Sequence, residues 1–445
     1  MKSQLRLGTD PRDHCRGVVH ETSAGLNVRH SIIRRSAGVT SAFLLGHVFS
    51  YALVFGANQI LDPGGFGLLY ATLLAITVLH SPTTAFTFVL GRRIASENAV
   101  GGREEAVRIG WLAVVYCVKY GTPLALLVGV VLAVVGSRLG IEAWQILFLL
   151  PATVLTLVVA EVIRVSFQSL LLFIRASMLW LTSQGAQVVL SLVLLALSGR
   201  VWAGVLGVLL GAALASAAFA GLFATIPRGQ RVRLDASTMR NVPGAIPLVL
   251  AYSLFILMNS LDMLVGYWLL PRPQLGAYAA SALLPKAVVT ATFAVSQVLV
   301  PVIVEQKMDG LAVGVSVFKA IAMAAGMSMA AAAFLWLTTP FLQATPLAIR
   351  GLDFTVMMTL AAAAVVLSAL RVIIVVEGAM QRYAIGLAQS IPIVLFIALA
   401  ANGEASADHM ATLYTTVVWV FLIGTAAIFL LLRSGLFGPI RSQDP

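Results

Sequence analysis

Two similar stretches, residues 64–95 and 273–305, decide the fold of this chain. They read "GGFGLLYATLLAITVLHSPTTAFTFVLGRRIA" and "PQLGAYAASALLPKAVVTATFAVSQVLVPVIVE", and aligning them places Gly67 on Gly276, an offset of 209 residues (276 minus 67). Each begins with a glycine-containing turn and continues as an apolar run long enough to cross about 30 Å of hydrocarbon as a helix. The weak repeat indicates that the two halves share one architecture.

The composition identifies an integral membrane protein with many spans. Of the 445 residues, 60% are hydrophobic and only 11% are charged, and the mean hydropathy is +0.96. A soluble chain of this length needs a much larger polar surface than these charged residues can supply. Lipid is therefore expected to cover most of the surface.

Twelve apolar runs are long enough to span a bilayer as helices. Around the junction of the fourth and fifth, "EVIRVSFQSLLLFIRAS" interrupts an apolar stretch with Arg164 and Arg175. The twelve runs lie near residues 37–61, 66–91, 109–136, 143–165, 177–198, 201–226, 244–270, 276–304, 312–338, 354–378, 383–401 and 408–432.

Basic residues predict the orientation of these spans. Twenty-one of the basic residues fall in segments on one side of the membrane, and four (Arg138, Arg200, Arg272 and Arg350) fall on the other. Because basic residues concentrate on the cytoplasmic side, both termini are expected in the cytoplasm. The net charge of +11 then indicates topology and contact with anionic membrane lipids, and nucleic acid is not expected as a partner.

The repeat joins span two to span eight, which are six spans apart. Because six is even, the two halves have the same orientation and are related by an axis along the membrane normal. We therefore predict an all-α polytopic membrane protein with about twelve transmembrane helices in two pseudo-symmetric six-helix lobes. Its parts are a cytoplasmic arm (1–36), an N-lobe (37–226), a cytoplasmic linker (227–243), a C-lobe (244–432) and a cytoplasmic tail (433–445).

No pattern in the sequence is typical of an enzyme. The connections are short, and no nucleophile with a partnered base, phosphate-binding glycine loop or metal-ligand spacing is present. His14, Cys15 and His20 in the N-terminal arm are too few and too poorly fixed for a convincing metal site, so neither a catalytic residue nor a metal nor another cofactor is expected. Transport is the default function.

The chain resembles a transporter family in two places. Residues 34–79, "RRSAGVTSAFLLGHVFSYALVFGANQILDPGGFGLLYATLLAITVL", are similar to the start of polysaccharide and oligosaccharide flippases of the multidrug/oligosaccharidyl-lipid/polysaccharide exporter superfamily, with their "GxFGxY"-like turn. Residues 259–284, "NSLDMLVGYWLLPRPQLGAYAASALL", resemble the second-half segment, where an aspartate-bearing span leads into a "GxY" turn. The end of span two, "SPTTAFTFVLGRRIA", departs from the usual glycine-leucine-rich ending.

The resemblance implies movement of a polyprenyl-diphosphate-linked glycan between the leaflets of a bacterial cytoplasmic (inner) membrane by alternating access. A polysaccharide polymerase and export machinery are candidate partners. The sugar and diphosphate cannot cross hydrocarbon unaided, whereas the prenyl tail can stay in lipid. Such a flippase needs a wet cavity with a few cations, and no cofactor.

Three basic residues inside spans are candidate substrate-binding cations: Lys286, Lys119 and Arg371. A charge near the membrane midplane costs roughly 2.5 to 3.5 kcal/mol on insertion scales, so a water-filled cavity is favourable for Lys286. A structural pair with Asp262, or snorkelling to the interface, is the alternative for this lysine. Arg371 is closer to the inner end of its span and can also reach the interface.

Asp262 and Asn259 share one helix face and form a candidate coupling site or charge partner. Structural pairing of Asp262 is favoured over coupling, because no second carboxylate joins it. His47 and His80 are candidate proton relays, although a neutral histidine hydrogen-bonded between helices is the favoured interpretation.

Two other transporter classes remain open. A multidrug or cation antiporter of the same superfamily would share the fold, but an acidic or aromatic cavity is more typical of it. A major-facilitator-type transporter also has two six-helix lobes, but "GRRIASENAVGGREE" lacks the preceding "GxxxDR" pattern. A non-transporting scaffold would leave the cations inside the spans unexplained.

Overall fold

The computed structural model describes residues 41–42, 44–138, 144–226, 245–292, 314–343, 349–379 and 383–433, and every regular element in these ranges is a helix. We number the helices in chain order. They are α1 (Leu44–Ile60), α2 (Pro63–Ala99), α3 (Arg103–Arg138), α4 (Trp144–Ser169), α5 (Phe173–Ser198), α6 (Val201–Ala224), α7 (Ala245–Leu269), α8 (Arg272–Ala291), α9 (Gly314–Gln343), α10 (Phe354–Ala379), α11 (Ala384–Ala388), α12 (Ser390–Ala401) and α13 (Ala407–Arg433).

The helices account for the twelve predicted crossings. Within the described ranges, ten spans are long and apolar enough to cross a membrane, with α11 and α12 forming one of them, Ala384–Ala401. The shorter apolar α1 and the lysine-containing α8 bring the count to twelve. The all-α polytopic fold is thus confirmed. The N-terminal arm with His14, Cys15 and His20, the predicted linker and the end of the tail lie outside the described residues.

The structure corrects the boundary between spans four and five. The predicted fourth run ends near residue 165, whereas helix α4 continues to Ser169, and Arg164 lies about one turn before that end. A turn of three residues, 170–172, joins it to α5, and Leu171 there has a φ of 60°. The sequence predicted a break that contains Arg175 and adjoins Arg164, whereas Arg164 lies in α4 and Arg175 lies in α5.

Helices α2 and α8 begin in a similar way at the same end of the molecule, which we call the outer end after the predicted orientation. The Asp62 carboxylate accepts hydrogen bonds from the backbone N–H groups of Gly64 (3.1 Å) and Gly65 (3.3 Å), and proline occupies the first turn of the helix. Proline also occupies the first turn of α8. Proline is favourable there because the first N–H groups of a helix have no intrahelical acceptor.

The glycines matched by the sequence repeat contact each other where α2 crosses α8. A Cβ atom on Gly67 would lie 2.9 Å from the Gly276 nitrogen, and a Cβ atom on Gly276 would lie 2.0 Å from the Pro63 carbonyl oxygen. Only glycine permits such a close approach of two backbones. The two glycines that the sequence repeat aligns therefore lie at one helix crossing, which is the contact expected where the predicted pseudo-symmetric halves meet.

The buried apolar residues also join the lobes at the outer end. In the described part, the core shared by both lobes draws its N-lobe members from the outer halves of the helices and from the turn between α1 and α2, including Ala57, Leu61 and Phe66. The inner half of the N-lobe has a separate core around Ile94, Phe167 and Phe223. The structure therefore represents a state in which the lobes are closed together on the outer side.

Candidate functional site

A buried ion pair joins α7 to α8 within the C-lobe. The Lys286 ammonium lies 2.7 Å from Oδ1 of Asp262, and it also donates a hydrogen bond to the backbone carbonyl of Asn259. The Asp262 side chain is fully buried, and that of Lys286 is 9% exposed. Of the alternatives left open by the sequence, the structure displays the charge pair.

Two tyrosines complete the surroundings of this pair. The Tyr278 hydroxyl donates to Oδ2 of Asp262 (3.1 Å), so both carboxylate oxygens have a donor. The Lys286 ammonium lies 5.9 Å from the centre of the Tyr414 ring, which is a cation–π distance. Tyr414 itself is held by its hydroxyl, which donates to the Met258 carbonyl (2.7 Å). The ion pair is therefore fixed by three helices, α7, α8 and α13.

A small cavity adjoins the pair. Its volume is about 10 Å³, and Asn259, Asp262, Lys286 and Tyr414 line its polar side. The buried Oδ1 of Asn259 has no hydrogen-bond partner among the described residues. A space of this size holds about one water molecule. In this state the site is too small for a sugar or a diphosphate.

Arg371 lies in a second polar cluster, towards the inner end, which we call the inner cluster (His47, Tyr51, Tyr252, Phe255, Thr290 and Arg371). The buried guanidinium of Arg371 is 5.7 Å from the centre of the Phe255 ring, and its Nη1 donates to the Val289 carbonyl (3.4 Å). It also hydrogen-bonds with Tyr252. Arg371 thus contacts α7 and α8 from α10.

The inner cluster reaches into the N-lobe through α1. The hydroxyls of Tyr51 and Thr290 are 3.1 Å apart, which links α1 to α8. His47 and Tyr51 both lie close enough to Arg371 for its charge to act on them. His47 is also 6.1 Å from Trp180 of α5 in an edge-on arrangement. The structure therefore brings Arg371 and His47 together where the two lobes meet, while Lys286 lies inside one lobe.

Lys119 lies apart from both clusters. It is on the exposed face of α3, and its ammonium is 5.4 Å from the centre of the neighbouring Tyr120 ring. Tyr116 and Tyr120 are also exposed and stack with their centres 5.7 Å apart. The role of Lys119 as a cavity cation stays a prediction.

His80 lies on α2 beside an ion pair that sequence reasoning missed. Arg164 donates from Nε to Oε2 of Glu161 (2.7 Å) and from Nη1 to Gln168 (3.0 Å), all within α4. Both charges act on His80. The three-residue spacing of Glu161 and Arg164 was the available signal, because residues three apart are neighbours on a helix.

Glu377 is a second buried acid that the sequence analysis did not single out. Its carboxylate accepts the backbone N–H groups of Ile385 (3.0 Å) and Gly386 (2.8 Å) at the start of α11. Capping the N–H groups at the start of a helix is a structural task, so Glu377 is not a binding candidate. Within the described ranges, no group of three or more histidine, cysteine, aspartate or glutamate side chains could hold a metal ion.

No protein-family model and no curated protein sequence matches the chain. Solved structures do match. A MATE crystal structure in complex with MaD5 is 15% identical over 90% of this chain and 96% of that chain, with a TM-score of 0.60. The inward-facing conformation of a multidrug resistance MATE family transporter of the MOP superfamily is 15% identical over 89% and 98%, with a TM-score of 0.57.

A third structure, of a MOP superfamily transporter from Pyrococcus furiosus described as having a binding pocket of reversed polarity, is 13% identical over 90% and 96%, with a TM-score of 0.56. In each case the likeness covers nearly the whole of both chains. The chain therefore has the fold of the MATE transporters of the MOP superfamily.

Proposed function

We propose that this protein is a membrane transporter that moves a lipid-linked oligosaccharide across the bacterial cytoplasmic membrane by alternating access of its two lobes. The MATE-type fold supports the transport part, since proteins with this fold have been solved in both inward-facing and outward-facing conformations. The same fold favours this superfamily over the major-facilitator alternative. The glycan part rests on the sequence resemblance and on the chemistry of the inner cluster.

The observation that carries the substrate proposal is the position of Arg371. Its guanidinium lies where α1 of the N-lobe meets α7 and α8 of the C-lobe. A guanidinium binds phosphate oxygens through two parallel hydrogen bonds, which makes arginine suited to a diphosphate. The hydroxyls of Tyr51, Tyr252 and Thr290 add donors and acceptors of the kind that a sugar requires.

Lys286 has a supporting role in this proposal. Its charge is balanced by Asp262, and the adjacent cavity has room for about one water molecule. We assign the pair to holding α7 against α8, and we assign the first contact with the diphosphate to Arg371. Lys119 and anionic lipids remain further proposed contacts, and the polymerase and export machinery remain proposed partners.

A multidrug antiporter is the second candidate, because two of the solved structures with this fold are described as multidrug resistance transporters. An organic cation would be repelled by Arg371 and attracted by a free carboxylate, whereas Asp262 is paired with Lys286. The inner cluster therefore favours an anionic substrate.

The proposal is tested by complementing a bacterial strain that lacks its polysaccharide flippase. Wild type, Arg371→Lys and Arg371→Ala are compared for surface polysaccharide, with Arg350→Ala as a matched control because Arg350 is exposed at the outer end. We expect wild type and the control to restore polymer, Arg371→Lys to restore part of it, and Arg371→Ala to restore least at equal membrane abundance. Wild type that restores no polymer but confers resistance to cationic drugs would support the antiporter instead.

A further inference from the structure

Asn58, near the outer end of α1, makes an unusual contact with the opposite lobe. Its Nδ2 donates to the backbone carbonyl of Arg350 (3.1 Å), and its Oδ1 accepts from the backbone N–H of the same residue (2.8 Å). Asn58 is 2% exposed. One amide side chain therefore satisfies both backbone groups of a residue that lies 292 positions further along the chain.

The loop that carries Arg350 is fixed to the C-lobe by contacts of its own. The backbone N–H of Asp353 donates to the hydroxyl of Ser281 on α8 (2.8 Å). The Asp353 carboxylate caps α10 by accepting from Thr355 (2.8 Å). Gly351, with a φ of 76°, adopts the left-handed conformation that favours glycine and turns the chain between Arg350 and Asp353. Because the loop is anchored in this way, the Asn58 contact is a bond between the two lobes.

The contact lies on the same side of the molecule as the glycine crossing of α2 and α8. Asn58 is two residues before the end of α1, and α2 starts at Pro63, whose carbonyl faces Gly276. If the lobes separate at the outer end, both hydrogen bonds of Asn58 must break, and buried polar groups lose their partners until water reaches them.

We propose that Asn58 is the latch of the outer gate: its two hydrogen bonds to the Arg350 backbone hold the outer-closed state. This inference rests on the proposed alternating access, but it concerns the gate and not the cargo. Removing the latch is expected to raise the ratio of outer-open to outer-closed molecules on the order of tenfold, because two buried hydrogen bonds are lost from only one of the two states.

The test measures the opening of the outer end in the full-length chain by electron–electron double resonance in lipid nanodiscs. Spin labels are attached at Arg200→Cys in the N-lobe and Glu404→Cys in the C-lobe, both exposed at the outer end, in a background of Cys15→Ser and Cys117→Ser. Asn58→Leu, which keeps the size of the side chain but neither hydrogen bond, is expected to populate longer distances than the unmodified Asn58.

Three further variants separate the latch from other effects. Arg350→Ala is expected to behave as wild type, because Asn58 binds its backbone and the Arg350 side chain is exposed. Asn402→Leu is the control, since the Asn402 side chain is exposed and donates to the Ala398 carbonyl of the helix that it follows. Gly351→Ala strains the turn from the other side and is expected to open the gate to a smaller extent, which keeps the test available if Asn58→Leu fails to fold.

Unchanged distances in both Asn58→Leu and Gly351→Ala would overturn the latch. Opening by Arg350→Ala as large as that by Asn58→Leu would also overturn it, because the backbone bonds would still be intact. The distances are measured without substrate. A wrong cargo assignment would therefore leave this result unchanged, and a failed latch would leave the complementation result unchanged.

Discussion

Removing the Lys286 charge should destabilise the C-lobe by leaving a carboxylate buried without its counter-charge. Asp262 is fully buried, and its Oδ1 has the Lys286 ammonium 2.7 Å away. Deleting one partner of such a pair costs about 3 to 5 kcal/mol. For 445 residues, the unfolding entropy is on the order of 0.9 kcal/mol per kelvin. A loss of about 4 kcal/mol then lowers the melting temperature by about 4 °C.

The assay is a double-mutant cycle on purified protein, followed by thermal unfolding in detergent. Lys286→Met and Asp262→Asn should each lower the melting temperature, and the double variant should be more stable than the sum of the two losses predicts, because neither charge is then left alone. Losses that simply add would refute the reasoning, as would a Lys286→Met protein as stable as wild type. Either result would mean that the pair seen in the structure contributes little to the fold.

Three other predictions follow from particular contacts. Gly276→Ala places a Cβ atom 2.0 Å from the Pro63 carbonyl, so we expect a loss of about 1 to 3 kcal/mol in thermal unfolding, whereas Gly424→Ala, which meets nothing within 4 Å, should cost nothing measurable. Glu377→Gln replaces one of the two carboxylate oxygens that accept backbone N–H groups by an NH₂ donor, and it should speed hydrogen exchange at the start of α11 by about tenfold; equal exchange would contradict the capping role. Lys119→Cys, in a chain without other cysteines, should react with a membrane-impermeant thiol reagent if Lys119 faces a water-filled cavity, and protection from the reagent would disprove that prediction.

The general fold could be predicted because lipid requires long apolar helices with satisfied backbones, and such runs are visible in a single sequence. The match of Gly67 to Gly276 also predicted two related halves. Its physical meaning became clear only in the structure, where the two backbones come into contact. A repeat shows which residues are equivalent, whereas it does not show that equivalent residues touch.

The site was less predictable, because its contacts depend on how helices rotate and tilt against each other. The alternative that Lys286 pairs with Asp262 was available from their charges, and the structure displays it. The contacts of Tyr278 and Tyr414 with this pair could not be predicted, since a tyrosine in an apolar span has many possible partners. The Asn58 contact could not be predicted from the sequence, because Asn58 binds the backbone N–H and carbonyl of Arg350 and the Arg350 side chain takes no part.

The most direct test of the proposed function is a leaflet assay with purified protein in lipid vesicles. A polyprenyl-diphosphate oligosaccharide is placed in one leaflet, and its arrival in the other is measured by the access of a membrane-impermeant glycosidase. We predict that wild-type protein moves the glycan and that Arg371→Ala moves it more slowly. A glycan that stays in its original leaflet, in vesicles whose protein does transport an organic cation, would contradict the account.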